Sequence, residues 1–499
     1  MITPNDLYRP SLALLTDLYQ LTMAYGYWKA GVKDREAVFH LSFRQNPFDG
    51  GFTIACGLGY AIGFLEHFRF ADDDLAYLAA LRGNDGEPLF EAAFLEYLGG
   101  MVLACDIDAV PEGTVVFPHE PLVRVHGSII HAQILESALL NMVNFQSLIA
   151  TKAARLCLAT RGDDVLEFGL RRAHGIDGAL AASRAAYIGG CAATSNVLSG
   201  KLFGIPVRGT HAHSWVMSFD TEQEAFEAYA RAMPNNCVFL VDTYDTIEGV
   251  HKAVGIGRQL RARGHEMLGI RLDSGDFAYL SIEARRILDE AGFDKATIVA
   301  SNDLDEYLIE SLKDQGATVA VWGVGTKLVT GHDQAALGGV YKLSAVRQPG
   351  EDWKYRLKLS EQTIKVSNPG ILQVRRYLDD GRFQADAIYD IQSDLSGGCT
   401  VVDPLDMTRR KVIPADTAFT DLLVPIFREG KRVYDAPPLE ASRREVQTQL
   451  AGLHPGIKRF ANPHEYPVGL EEGLHNLKTR LILEARGQGA ETFTARPHG

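Results

Sequence analysis

The sequence predicts an α/β protein centred on a nearly closed barrel of parallel strands, and three observations predict it. Short apolar runs recur at 165–168, 194–197, 206–209, 238–241, 268–272, 297–300 and 320–323. Amphipathic helical patterns lie between most of them, at 222–233, 247–263, 278–291 and 304–315. Polar, glycine-flanked motifs stand at the C-terminal ends of the runs, where α/β sheets and barrels place their chemistry. Strand–helix alternation implies parallel strands joined by right-handed crossovers. Seven such runs fall one short of a regular eight-stranded barrel. An open doubly wound sheet is the other arrangement with this alternation.

The flanks follow no such rhythm. Residues 1–127 read as an α+β domain. Within it, 12–25 has apolar residues at helical spacing, 38–44 alternates like a strand, and 46–51 is a turn. Helices follow at 59–68 and 72–81, then short strands at 115–117 and 122–125. A long helical stretch, 129–160, opens the barrel region, 128–343. In the C-terminal segment, 344–499, the strand-like pattern begun at 340–343 resumes at 355–359, and Asp380-Gly381 is a hairpin signal. Helical patterns return at 439–451 and 464–480, and 487–499 reads as a frayed tail. This segment is expected to pack partly back on the N-terminal domain.

Composition narrows the function. At 499 residues the chain exceeds one ordinary core. Its 46% hydrophobic and 23% charged content is that of a folded globular protein. No apolar run is long enough for a membrane span, and the first residues lack a secretory signal pattern. Six scattered cysteines with no CxxC pair indicate neither a zinc knuckle nor a disulfide framework, so the cytoplasm is the expected compartment. A net charge of −13 argues against nucleic-acid binding. An anionic ligand must therefore be met by local cations.

The cations are in the motifs. These are Glu167-Phe168-Gly169-Leu170-Arg171-Arg172, Thr194-Ser195-Asn196, Gly209-Thr210-His211-Ala212-His213-Ser214, Val241-Asp242-Thr243-Tyr244-Asp245, Arg271-Leu272-Asp273-Ser274-Gly275-Asp276, Ala300-Ser301-Asn302-Asp303 and Gly323-Val324-Gly325-Thr326. Any one alone serves as a helix cap. Caps do not require arginines, a histidine and paired aspartates in register. Arg171, Arg172 and Arg271 suit a carboxylate or phosphate. Asp273 and Asp276 suit sugar hydroxyls or a Mg²⁺ shared with substrate phosphate. The glycine turn before Thr326 suits a phosphate. His213 can act as base, metal ligand or nucleophile. A nucleophilic role wants a carboxylate on its second nitrogen, and Asp242 is the candidate. Zinc-site spacing is absent, 255–260 lacks the third glycine of a dinucleotide fingerprint, and there is no P-loop for ATP.

Leu15-Thr16-Asp17-Leu18-Tyr19-Gln20, Phe168-Gly169-Leu170-Arg171-Arg172, Gly209-Thr210 with Ala212-His213-Ser214, Arg271-Leu272-Asp273-Ser274-Gly275-Asp276 and Gly338-Gly339-Val340-Tyr341-Lys342-Leu343 together resemble the nicotinate phosphoribosyltransferase family. The resemblance implies an irregular (β/α) barrel of the type II phosphoribosyltransferase kind, with an α+β domain built from both chain ends. It implies a homodimer with the active site at the subunit interface. It further implies condensation of nicotinate with 5-phosphoribosyl 1-diphosphate, coupled to ATP hydrolysis and requiring substrate-associated Mg²⁺. Carried over by motif, His213 is the histidine that ATP phosphorylates and Asp242 orients it. Arg271 and Thr210 hold the nicotinate carboxylate. Phe168 and a partner's Tyr19 sandwich the ring. Arg171 and Thr326 face the phosphates, with Lys358 and Arg356 further candidates on that side. Asp273 meets the ribose or the metal.

Three other readings share these residues. Nicotinamide phosphoribosyltransferase has the same architecture but places an Asp where Ser195 stands here, so Ser195 favours the acid. An inactive relative would bind pyridine nucleotides only. A barrel enzyme using lysine chemistry would draw on Lys327 or Lys342.

Overall fold

The computed structural model describes residues 11–362 and 366–487. The frayed tail read at 487–499 lies, beyond Gly487, outside the described residues. At the centre is a parallel sheet of strands β1 (Asp164–Glu167), β2 (Ala193–Thr194), β3 (Val238–Leu240), β4 (Gly269–Leu272), β5 (Thr297–Asn302) and β6 (Val321–Val324). Their spatial order is β2-β1-β6-β5-β4-β3. A single parallel bridge, Thr194 to Val207, extends the sheet past β2. Its two free ends, Val207 and β3, are therefore neighbours along the chain. The sheet curls into a barrel with one open seam between them, rather than the open doubly wound alternative.

Two predicted runs shrink for local reasons. The run at 194–197 stops at Thr194 because Asn196 caps the helix Val197–Phe203, its side chain accepting the Ser199 N–H at 3.2 Å. The run at 206–209 is reduced to the Val207 bridge. Pro206 has no N–H to donate, so its carbonyl and the Arg208 N–H make the only two ladder bonds there among the described residues, both 3.0 Å to Thr194. His211 closes part of the seam: its Nε2 accepts the Leu240 N–H of β3 at 3.3 Å. The ring is buried against Tyr229, with centroids 4.8 Å apart.

The helices on the barrel come where expected, at Glu222–Ala232, Thr246–Ala262, Phe277–Glu290 and Glu306–Asp314. The predicted long helix is two, Ile129–Ile134 and Glu136–Ala159. The second carries the buried Arg155, whose Nε donates to Glu306 at 2.8 Å and ties this helix to the one after β5.

A second sheet is antiparallel and has seven strands: Lys354–Tyr355, Val340–Arg347, Glu36–Ser42, Val123–Ser128, Asp106–Ala109, Val424–Arg428 and Lys431–Arg432. Strands from both flanks of the barrel thus interleave. The strand Val340–Arg347 straddles the division read at 343 and pairs with Glu36–Ser42. A third sheet, of six strands, comes wholly from residues 372–471. Its hairpin Leu372–Asp379 to Arg382–Asp390 turns at Asp380-Gly381, both at positive φ (48° and 73°), as the dipeptide predicts.

Three further expectations are corrected. The helix read at 12–25 is Leu18–Lys29, because Asp17 is extended at φ −79°, ψ 146°. The run at 355–359 pairs only over Lys354–Tyr355. The helix read at 464–480 begins as the strand Val468–Glu471 and turns helical only at Glu472–Ala485, with Glu471 as its cap. Among the described residues no helix is long and apolar enough to cross a membrane.

Candidate active site

The strand ends converge on a cleft of about 290 Å³. Its walls include Phe168, Arg171, Ser195, Thr210, Arg271, Asp273 and Thr326, so seven sequence-predicted residues share one space. Arg172, Gly209, His211, Ser301, Asn302 and Asp303 complete much of the rim.

Phe168 follows β1 and lies against β6. A Cβ on Gly323 would come within 2.7 Å of its ring, so glycine is what lets the ring lie there. Arg271 is the cation at the cleft's floor. Its Nη1 donates to the Thr210 hydroxyl and, at 3.1 Å, to the His211 carbonyl. Its Nε–H is buried and finds no hydrogen-bond partner among the described residues. Burial, more than any neighbouring charge, pulls its pKa down. An acceptor entering the cleft therefore meets a cation largely stripped of water.

Asp273 stands between two partners at equal distance. Its Oδ1 is 3.7 Å from Arg271 Nη2, and its Oδ2 is 3.7 Å from His213 Nε2. His213 begins the short helix His213–Met217, and its Nδ1 meets the Thr243 hydroxyl at 3.1 Å. The expected contact between Asp242 and His213 is not made. Asp242 Oδ2 instead accepts the Asp273 N–H at 2.8 Å and the Ser274 hydroxyl at 2.7 Å. Its other oxygen, Oδ1, is buried and finds no hydrogen-bond partner among the described residues. Asp242 reaches the histidine only through the turn that carries Asp273. Asp276 is a helix cap, accepting the Ala278 and Tyr279 N–H groups at 3.0 and 3.1 Å.

Tyr19 is half exposed, on the helix Leu18–Lys29, and does not line the cleft of its own chain. Lys327 is occupied by an ion pair with Asp305, and Lys342 lies in a different cavity. That second, small cavity is lined by His40, Arg44, His119 and Lys342. Lys478 reaches its edge, donating to Asn368 at 2.9 Å. Burial, then the nearby Lys478 and Arg44, holds His119 down to about 4, and burial holds Lys478 down to about 8. Lys358 adds to the depression of Lys342. Arg356 is exposed, two residues before Lys358 in the chain. Cations held together in this way favour an anionic guest.

Sequence reasoning missed Glu167. Its carboxylate is buried under the cleft and accepts the Gly169 N–H, the Ser183 hydroxyl at 2.7 Å and the Thr194 hydroxyl at 2.6 Å. It thereby ties the loop bearing Phe168 to the end of β2, from which Ser195 follows. The available signal was an acid inside an apolar run, which folding leaves buried only if local donors satisfy it. Among the described residues no group of three or more His, Cys, Asp or Glu side chains is gathered to hold a metal ion.

An anion-reading cleft on the C-terminal rim of a parallel barrel defines an α/β-barrel protein for charged small molecules. The family models agree on a narrower class. The nicotinate phosphoribosyltransferase N-terminal domain matches residues 14–144, the family proper 164–353, and the C-terminal domain 372–478. The nicotinate phosphoribosyltransferase of Bacillus subtilis is 44% identical over 484 residues, covering 96% of each chain. That of Homo sapiens is 36% identical over 531 residues, covering 94% of this chain and 96% of the other. A crystal structure of the human nicotinic acid phosphoribosyltransferase superposes with a TM-score of 0.81 at 32% identity, over 93% of this chain and 99% of that one. The chain belongs to the nicotinate phosphoribosyltransferase family. A nicotinate-nucleotide pyrophosphorylase from Pyrococcus furiosus, at TM-score 0.69 and 21% identity, shares the fold.

Proposed function

We propose that this chain transfers the phosphoribosyl group of 5-phosphoribosyl 1-diphosphate to nicotinate, giving nicotinate mononucleotide and diphosphate in a step of NAD synthesis. ATP hydrolysis is coupled to it through a phosphohistidine at His213. The single observation that carries the reading is Arg271: a guanidinium largely withdrawn from water on the lining of the cleft, fixed by the Thr210 hydroxyl. A carboxylate is the anion a guanidinium pairs with best, and Phe168 offers an aromatic ring a face.

The chemistry asks for positioning and charge complementarity. The pyridine nitrogen forms a bond to the anomeric carbon as the bond to diphosphate breaks, through a cation-like state. Arg171 and Thr326 stand on the same rim for the phosphates. Asp273 faces the ribose, or the Mg²⁺ that arrives on the diphosphate. For the ATP step, a Nδ1–H donated to Thr243 leaves the Nε2 lone pair free to take the γ-phosphoryl group as ADP departs. Water later cleaves the phosphorus–nitrogen bond. While it lasts, the phosphate adds between one and two negative charges beside the site, which changes affinity for diphosphate.

The active site is completed by a second copy of the chain. Supporting this, Val197, Leu198, Leu202 and Met217 leave large apolar surfaces exposed near the cleft-bearing loops. The cation-rich cavity at Arg44 and Lys342 is a second place for phosphate oxygens. Nicotinate is favoured over nicotinamide because Ser195 stands in the cleft at the position where the nicotinamide enzyme is expected to carry an Asp, with Arg271 on the same lining. The test is a mass balance of nicotinate, 5-phosphoribosyl 1-diphosphate and ATP with purified protein, with nicotinamide as competitor. Consumption of nicotinamide in preference to nicotinate would overturn the reading.

A further inference from the structure

The motif at the end of β5, Ala300-Ser301-Asn302-Asp303, takes no part in the chemistry above, yet its side chains close on Asp273. The buried Ser301 hydroxyl donates to Asp273 Oδ1. Asn302 Nδ2 donates to the Asp273 carbonyl at 2.8 Å. The Asn302 Oδ1 in turn accepts the Asp303 N–H at 2.8 Å, which fixes the amide's orientation. With the Asp242 contact to its N–H, Asp273 is held at its nitrogen, its carbonyl and one carboxylate oxygen. Asn302 does this from φ 154°, a backbone region that favours glycine. Side chains persist there only where their surroundings hold them.

What the ties prevent is collapse onto Arg271. The oxygen that Ser301 engages is the same Oδ1 that lies 3.7 Å from Arg271 Nη2. A carboxylate free to turn beside a buried guanidinium closes to a paired contact of about 2.8 Å. That contact would neutralise the cation and occupy the donors a ligand needs. We propose that Ser301 and Asn302 are positioning residues that hold Asp273 off Arg271, and so keep the cleft selective for an anionic pyridine. The proposal rests on the reading of Arg271 as the partner of the nicotinate carboxylate.

The test is calorimetric titration of nicotinate, and separately of nicotinamide, into the full-length wild type, Ser301→Ala, Ser301→Thr, Asn302→Gly, Asp273→Asn and the Ser301→Ala/Asp273→Asn double variant. Melting temperatures are recorded for each. Ser301→Ala weakens nicotinate about tenfold and leaves nicotinamide within about twofold. Ser301→Thr, which keeps the hydroxyl, recovers most of the loss. In the Asp273→Asn background, where there is no competing charge, Ser301→Ala changes nicotinate affinity by less than about twofold. Asn302→Gly, which suits the backbone, weakens nicotinate without lowering the melting temperature. Equal nicotinate affinity in Ser301→Ala overturns the proposal, and so does an equal loss in the Asp273→Asn background. A wild type that binds nicotinate no better than nicotinamide overturns the reading of Arg271, and this inference with it.

Discussion

Arg271 and His213 carry separable duties, and their variants should separate them. Arg271→Ala removes the desolvated cation and leaves the Thr210 hydroxyl and His211 carbonyl without its donor. We expect kcat/KM for nicotinate to fall about a hundredfold or more. The preference for nicotinate over nicotinamide should shrink by a similar factor in a competition assay. His213→Ala removes the phosphoryl acceptor and leaves the cleft lining in place. ATP consumption should uncouple entirely while slow, ATP-independent transfer persists. Stoichiometric ATP use by that variant would exclude His213 as the phosphorylated group. Thr243 and Asp273, the groups nearest its ring, were not the partner expected from spacing. Asp242 looked equivalent in sequence, because sequence does not show which donors reach a carboxylate first.

At the scale of elements, the barrel seam and the β1 loop each depend on one buried polar side chain. His211 accepts the Leu240 N–H in place of a missing strand, and burial holds its pKa down to about 4 from 6.5. Below 6.5 the unfolded chain takes up this proton and the folded one does not, so stability drains as pH falls from 6.5 towards 4. His211→Phe fills the space against Tyr229 but strands the Leu240 N–H. It should cost about 1–3 kcal/mol at neutral pH. Denaturant unfolding should also show a shallower loss between pH 6.5 and 4 than in the wild type. An unchanged slope would mean the histidine is not protected in the folded state. Glu167→Gln replaces an acceptor of three hydrogen bonds by a group that must present a donor to one of them. Turnover is expected to drop more than stability, because the loops joined are those of Phe168 and Ser195. Comparing kcat with the melting temperature decides this.

At the scale of the whole molecule, the three sheets assign different jobs to different stretches of chain. The barrel supplies the cleft, while the antiparallel sheet joins 36–42 to 340–347 and 424–428, so the two chain ends fold as one unit. Tyr19 belongs to that unit and leaves its ring half exposed, away from its own chain's cleft. If a second copy presents Tyr19 to the cleft, Tyr19→Ala and Arg271→Ala chains should complement one another. Random mixing makes about half the dimers mixed, each with one intact site, so activity should recover to roughly a quarter of wild type. Absence of recovery after subunit exchange, checked by native mass spectrometry, would place Tyr19's role within its own chain.

The sequence by itself determined the barrel strands, their order along the chain and the rim on which function sits. Hydrophobic alternation and glycine-flanked motifs are local signals, and burial at strand ends obeys them directly. It also marked seven residues that do share one cleft, from Phe168 to Thr326. That the two flanks share a domain was expected; only the tertiary structure decided the rest: the seam that His211 bridges, the order in which strands of both flanks interleave, the network under Glu167, and the partners of Asp242. Each of these is a contest among donors, acceptors and strand edges brought together from distant parts of the chain. Such contests are settled by which partners the packing brings within hydrogen-bond reach, and no window of sequence contains both sides.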